Sequence, residues 1–400
     1  MKVLMFGWEY PPYKSGGLGT ACYGLTKGLK NHNVDIIFVL PRGDKDKADN
    51  TYVRMLIASD YGSIKFIGIP TLLRPYLTSE TYITLKGQKG KEGKIYGEDL
   101  FQEVYNYALR ARLIAEKEDF DIIHCHDWMT YPAGIEAKKV SGKKLVVHIH
   151  ATEFDRTGGN GVNEYVYNLE KQGFEQADRI VAVSNFTKNQ VIRHYGINPD
   201  KIDVVHNAVE KEHKKFQELS LGKDKLVLFL GRITLQKGPE YFVYAAKKVL
   251  EKRKDVKFVM VGTGDMLERM INLTIDLGIN DHFLFTGFLE GEALDKVYSM
   301  ARLYVMPSVS EPFGITPLEA ITNGTPVLIS KQSGVSEILH HALKVDFWDV
   351  NEIANKILAV LHHDALHETL RDNAQMQVNS ISWDKSARKL LDVYKKVIGW

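Results

Sequence analysis

The sequence predicts an α/β protein built from two Rossmann-like, doubly wound parallel-sheet domains in tandem. Three observations predict it. Short apolar runs alternate with amphipathic helical stretches through the 400 residues, glycine-rich polar turns follow many of the runs, and the series breaks once, near 207–224, before restarting. Strands separated by helix-length segments imply βαβ units, whose parallel sheets are covered on both faces and therefore read as continuous apolar runs.

In the first series, Val3–Phe6, Asp35–Leu40, Asp121–His124, Leu145–His150 and Arg179–Ser184 read as buried strands, with Phe101–Glu118 a clear helix between them. A further strand ends at Val204-Val205-His206, and the polar stretch Glu210–Gln217 follows. The second series comprises Leu226–Leu230, Val256–Val261, His282–Phe285, Leu303–Met306 and Pro326–Ile329, with a helix at Tyr241–Lys252. The expected domains are 1–208 and 209–382, with a last helix over about 383–400. No repeat of 20–50 residues is present, which excludes a solenoid.

Composition narrows the function. At 44% hydrophobic and 26% charged, the chain belongs with ordinary globular proteins rather than disordered or fibrous ones. Lys plus Arg is 52 and Asp plus Glu is 50, a net charge of +2 that offers no excess field to hold a nucleic-acid backbone. Two cysteines, Cys22 and Cys125, are too few for a disulfide framework and read as buried thiols in a reducing compartment. No apolar run approaches the ~18 residues of a membrane span, and the run at the start gives way at Trp8 to Glu9-Tyr10-Pro11-Pro12, too early for a signal peptide. A cytoplasmic enzyme with no integral membrane segment is expected. The segment from Lys86 to Lys94, rich in Gly and Lys, reads as a surface loop or a lid over a cleft.

In open α/β sheets ligands bind beyond the carboxyl ends of the strands, so the residues after each strand carry the functional argument. After the first strand, Lys14-Ser15-Gly16-Gly17-Leu18-Gly19 opens a helix marked by Leu18, Cys22, Leu25 and Leu29. Glycines there let a phosphate reach free backbone N–H groups. A third fingerprint glycine is absent, Cys22 standing in its place, and no acidic residue ends the second strand, which argues against NAD. Tight helix packing is the competing explanation for these glycines.

His124-Cys125-His126-Asp127-Trp128 and His148-Ile149-His150 place pairs of histidines on strand faces. Together with Asp127 they could hold zinc in a metal hydrolase, whereas hydrogen-bonded strand-end histidines need no metal. His363 and His367 lack the glutamate of a zincin and read as surface histidines.

In the second half, Gly231-Arg232-Ile233-Thr234-Leu235-Gln236-Lys237-Gly238-Pro239 sets two cations between a strand and a helix. They suit a diphosphate, a solvated basic loop being the alternative. Val261-Gly262-Thr263-Gly264-Asp265 is a weaker signal that turn geometry explains. The most informative segment is Ser310-Glu311-Pro312-Phe313-Gly314-Ile315-Thr316-Pro317-Leu318-Glu319. Gly314, Ile315 and Thr316 could present N–H groups to phosphate, and Glu311 and Glu319 could accept ribose hydroxyls. Equally, Thr316-x-x-Glu319 is a capping box with Pro317 at the first helical position.

Taken together, these residues resemble the retaining GT-B glycosyltransferases, in which two Rossmann-like domains face each other across a cleft that holds a nucleotide-sugar donor. The resemblance rests on Glu311-x7-Glu319, on Arg232 with Lys237, and on Lys14-x-Gly16-Gly17-Leu18, in order along nearly the whole chain. Ser382-Trp383 followed by Lys385–Ile398 resembles the family's last helix, which crosses back onto the first domain. The glycine loop and His126-Asp127-Trp128 are similar to glycogen and starch synthases. Starch-type bacterial synthases carry an aromatic residue where Glu319 stands and are longer, so the complete pattern is closer to family 4.

The resemblance implies that Lys14 contacts donor phosphate, that Asp127 lies beside the acceptor, and that His150 contacts the transferred glucose. It implies that Arg232 and Lys237 neutralise the diphosphate leaving group, with Glu311 near the sugar and Glu319 on the ribose; Gly16, Gly17, Gly314, Ile315 and Thr316 complete the donor site. The expected activity is retaining transfer of glucose from UDP- or ADP-glucose to an α-1,4-glucan, with another family 4 acceptor (a sugar phosphate, surface polysaccharide or glycolipid) as the alternative. Fixed cations and helix amides stabilise a departing diphosphate without a metal, so no cofactor is expected. A nucleotide-sugar epimerase and a non-catalytic sugar-nucleotide sensor are the rivals from other classes.

Overall fold

The computed structural model describes residues 1–12, 16–43, 51–61, 100–159, 161–210 and 225–400. Lys14 and the segment 86–94 lie outside them. The chain divides into two compact units, Met1–Ala208 with Ser382–Trp400, and Val209–Ile381.

In the first unit, β1 (Lys2–Phe6), β2 (Asp35–Leu40), β3 (Arg54–Ile57), β4 (Ile122–His126), β5 (Lys144–Ile149), β6 (Arg179–Ala182) and β7 (Ile202–Val204) form one sheet in the order β3-β2-β1-β4-β5-β6-β7. Every adjacent pair is parallel. In the second unit, β8 (Lys225–Leu230), β9 (Val256–Val261), β10 (Phe283–Gly287), β11 (Leu303–Met306), β12 (Val327–Ser330) and β13 (Leu343–Val345) run in the order β10-β9-β8-β11-β12-β13, again all parallel. Each sheet reverses its winding once, between β1 and β4 and between β8 and β11. At such switch points the loops diverge to opposite faces and leave a crevice. The α/β class and the two doubly wound sheets are those the alternating apolar runs require.

Burial explains the runs. Val3, Leu4, Met5 and Phe6 are wholly inaccessible, as are Leu145, Val146 and Val147, because helices cover both faces of each sheet. Several strand ends differ from the sequence reading. β4 runs on to His126, and β5 stops at Ile149, which leaves His150 in the following loop. β6 stops at Ala182, and Ser184 caps the next helix by accepting a hydrogen bond from the Thr187 N–H (3.0 Å). β3 and β13 are short strands at sheet edges, where one partner rather than two sets the hydrophobic pattern.

The C-terminal helix Trp383–Ile398 packs on the helix Gly17–Asn31 within the first unit. Two glycines allow the approach. A Cβ at Gly24 would sit 2.2 Å from the Trp383 ring, and one at Gly28 would sit 2.6 Å from the Trp383 carbonyl. Ser386 donates to the His206 carbonyl at 2.6 Å, tying this helix to the end of the first domain's own chain.

Candidate active site

At the first switch point, the helix Gly17–Asn31 begins after Gly16, whose extended backbone provides no side-chain cap. The first-turn N–H groups of such a helix carry partial positive charge and lack intrahelical partners. Neither Gly16 nor Gly17 is crowded: a Cβ at either would meet nothing within 4 Å among the described residues. Packing against the described residues therefore does not account for this glycine pair. Leu18, Cys22, Leu25 and Leu29 are buried, as their spacing requires.

Across the switch point, β4 ends at His126 and Asp127 follows it. Asp127 adopts φ +62°, the left-handed region that few non-glycine residues visit. Its N–H donates to the His148 carbonyl (2.9 Å), and its Oδ1 accepts from the N–H groups of His150 (2.7 Å) and Ala151 (3.4 Å). The carboxylate thus holds the backbone that carries His150. Burial lifts the Asp127 pKa to about 6, against the pull of Arg156 and of the two amides. His150 is buried and hydrogen-bonded through Nε2 to His126 Nδ1 at 3.0 Å; burial depresses its pKa to about 3, so it is neutral at pH 7. An imidazole of so low a pKa can hydrogen-bond a sugar hydroxyl but is a poor base.

Behind this loop lies a network that the sequence reading missed. Buried Arg156 donates to the Ala151 carbonyl (2.6 Å) and to Glu170 (2.9 Å), with Glu153 at 3.4 Å. Glu170 also accepts from the Glu153 N–H (3.1 Å) and from the Tyr195 hydroxyl. Burial raises the Glu170 pKa to about 7 despite Arg156. The Thr152-x-x-Asp155 spacing was a usable signal, since it forms a complete capping box on Glu153–Thr157. Glu170 sits on the separate helix Glu164–Gln176, and no spacing rule pairs it with Arg156.

In the second unit, Arg232 and Lys237 follow β8. Arg232 donates to the Gln236 side chain (3.1 Å) and Lys237 is paired with Glu311 (2.5 Å). Lys237 is only 20% exposed, so this is not a solvated basic loop. Glu311, after β11, is buried and also accepts from Ser308 Oγ (3.3 Å). The bonds from its N–H to the Gln332 carbonyl and from the Gly334 N–H to its carbonyl fix its backbone. Residues 74 positions apart thus meet at the carboxyl ends of β8 and β11. Gly262 and Gly264 have the structural role their turn suggested: a Cβ would lie 1.9 Å from the Gly231 carbonyl oxygen and 2.2 Å from that of Ile233.

The capping box expected at Thr316-x-x-Glu319 does not form. The helix Thr316–Thr322 begins after Ile315 with no side-chain cap, which puts Pro317 at its second position. The Thr316 hydroxyl instead pairs with the Tyr304 hydroxyl (2.8 Å), and Glu319 accepts from the Tyr298 hydroxyl (3.0 Å). Tertiary partners have taken both side chains, and Glu319 remains half-buried beside the turn. Gly314 takes φ +98°, and the N–H groups of Gly314, Ile315 and Thr316 donate to no backbone carbonyl among the described residues.

Among the described residues, His124, His126 and His148 are the group whose donor atoms lie close enough together to hold a metal ion; Asp127 and His150 are not of that group. The surface reading of His363 and His367 holds only for His363. His367 is buried, and desolvation pushes its pKa to about 4. Cys22 and Cys125 are buried free thiols. Among the described residues no helix is long and apolar enough to cross a membrane.

Residues 15–213 match the family described as Glycosyltransferase Family 4, and residues 210–377 match Glycosyl transferases group 1. An uncharacterised glycosyltransferase of Methanocaldococcus jannaschii is 32% identical over 99% of this chain and 98% of its own length. A D-inositol 3-phosphate glycosyltransferase of Nocardioides is 26% identical over 72% of this chain and 70% of its own. Among solved structures, the sucrose-phosphate synthase of Thermosynechococcus elongatus superposes with a TM-score of 0.79 at 18% identity, covering 100% of this chain and 99% of that one. Anabaena HepE in complex with UDP and glucose gives 0.74 at 16% identity, covering 99% and 100%.

Proposed function

This chain belongs to the glycosyltransferases of group 1 and family 4, and from that premise we propose that it transfers glucose with retention from UDP- or ADP-glucose to a glucan. The observation that carries the reading is the meeting of Lys237 and Glu311 beside Arg232 at the second sheet's switch point.

In the transfer, the bond between the anomeric carbon and the diphosphate oxygen breaks while negative charge builds on the leaving group. Arg232 and Lys237 are assigned to that charge, where donors fixed in a water-poor site act most strongly. Lys237 starts paired with Glu311, so a bound diphosphate competes with a carboxylate for the ammonium. Glu311 is then free to accept a sugar hydroxyl, and Glu319 takes the ribose. Gly314, Ile315 and Thr316 offer amides to phosphate; for Gly16, Gly17 and Lys14 a role toward the donor phosphate rests on the resemblance. His150, neutral and held by Asp127, hydrogen-bonds the glucose. The acceptor oxygen attacks the anomeric carbon from the face the diphosphate is leaving, and the hydroxyl proton passes to the departing phosphate oxygen, so the new C–O bond forms with retention as the old one breaks. No metal is assigned to this step, because the cations and amides already supply the positive field.

A second acceptor class has its own support: several relatives at 26–29% identity are named D-inositol 3-phosphate glycosyltransferases. Nucleoside diphosphate release from each donor, measured with glycogen, malto-oligosaccharide or inositol 3-phosphate, separates the two. Release stimulated by glucans alone supports the first reading. Stimulation by the inositol phosphate alone replaces it with the second, and donor epimerised without any acceptor would replace both with an isomerase.

A further inference from the structure

Beneath the first sheet's carboxyl end, four imidazoles share one sheet face. His124 and His126 lie on β4, His148 on β5 in register with His126, and His150 just beyond it. Their ring centroids are 4.3–5.4 Å apart in the contacts His148–His150, His124–His126, His126–His150, His124–His148 and His126–His148. Three of them, His124, His126 and His148, are wholly or almost wholly buried.

Their hydrogen bonding is lopsided. His124 uses Nδ1 with the Tyr394 hydroxyl (2.6 Å), and His126 uses Nδ1 with His150 Nε2 (3.0 Å). The Nε2 of each, and both nitrogens of His148, have no partner among the described residues. Four orphan nitrogens gathered in one pocket call for a shared partner, because the large majority of buried polar atoms have one. His124 and His126 show the pattern of metal-binding histidines: one ring nitrogen is open to an ion while the other is held by an outer partner that fixes ring and tautomer.

The geometry points to a structural site for one divalent transition-metal ion of the zinc class, held by Nε2 of His124, Nε2 of His126 and a ring nitrogen of His148. With one ring nitrogen taken from each histidine, the three donor atoms lie within 4.8 Å of one another, close enough to contract onto one ion, and the unpartnered nitrogens select Nε2 on His124 and His126; imidazole donors favour zinc, copper, nickel and iron over magnesium or calcium. Tyr394 and His150 are the outer partners. Since Tyr394 belongs to the C-terminal helix, the ion would fasten that helix's anchor to β4 and β5, the strands that lead into Asp127 and His150. This inference rests on the histidines alone and is independent of the transfer reaction.

The full chain, carrying no polyhistidine tag, is expressed in zinc- or cobalt-supplemented medium and desalted, and its metal content is measured with the visible spectrum of the cobalt form. The expected result is one ion per chain and cobalt absorption of the histidine-ligated, low-coordination type. Loading should persist in a His362→Ala/His363→Ala double variant and vanish in His148→Gln. Tyr394→Phe, which removes only an outer partner, should weaken affinity about 10–100-fold. A folded wild-type chain that leaves both media without metal overturns the site, as does loading lost with His362 and His363 but indifferent to His148. Unaltered affinity in Tyr394→Phe removes the outer-partner argument, and with it the assignment of Nε2.

Discussion

Asp127 Oδ1 accepts a 2.7 Å hydrogen bond from the backbone N–H of His150, joining the ends of two adjacent strands through a carboxylate rather than through the sheet. The bond explains why a residue in a left-handed conformation is an aspartate. The strained backbone costs of order 1–3 kcal/mol, and that geometry puts the side chain where it can hold the neighbouring loop.

Replacing Asp127 tests that function. Asp127→Ala frees the His150–Ala151 backbone, and a displacement of about 1 Å at a positioned group costs about 10²-fold in turnover. Asp127→Asn keeps an oxygen acceptor and should lose much less. Turnover at saturating donor, with thermal unfolding run alongside, distinguishes the two; a fully active Asp127→Ala enzyme contradicts the positioning role.

Lys237→Ala should lower turnover by about two orders of magnitude, the loss expected when one fixed donor to a developing anion is removed. The KM of the acceptor should change little. Wild-type turnover in this variant would remove Lys237 from the leaving-group site.

The architecture was legible because parallel strands buried on both faces leave uninterrupted apolar runs, and every central strand shows as one. β3 and β13 escaped as short edge strands. Local patterns misled where tertiary partners competed for the same side chain. Thr316 and Glu319 have the spacing of a capping box, yet Tyr304 and Tyr298 claim them. The Arg156–Glu170 pair was invisible for the opposite reason, since its members belong to different helices and meet only in the folded chain. The convergence of Lys237 and Glu311 could be suspected only through resemblance, because 74 residues separate them.

Glu170 gives a pH-dependent prediction. Arg156 faces Glu170, Glu153 and Asp127 in a buried setting, and burial raises the Glu170 pKa from 4.5 to about 7. A carboxyl raised in the folded state contributes stability that is complete below pH 4.5 and lost as pH rises through about 7. A shift of about 2.5 units corresponds to roughly 3 kcal/mol. Glu170→Gln cannot ionise, so the stability of wild type relative to this variant should fall between pH 5 and pH 8. Denaturant unfolding at both pH values measures it, and a constant difference contradicts the assignment.

Gly262→Ala should destabilise the second unit by more than about 2 kcal/mol, because its Cβ would lie 1.9 Å from a backbone oxygen at φ +130°. Gly142→Ala, at φ +68° in open space, carries only the conformational penalty of about 1 kcal/mol. Calorimetry should show the larger drop at Gly262. Equal midpoints would mean that the loops after β8 and β9 are not in close contact.

The central claim, retaining transfer from a nucleotide-sugar, is tested most directly by the proton NMR spectrum of the first product formed from the α-linked donor and its acceptor. Retention predicts a new anomeric signal with the small coupling of an α-glucoside, growing in step with nucleoside diphosphate. A large diaxial coupling in that first product, or a changed sugar still attached to the nucleotide, would contradict it.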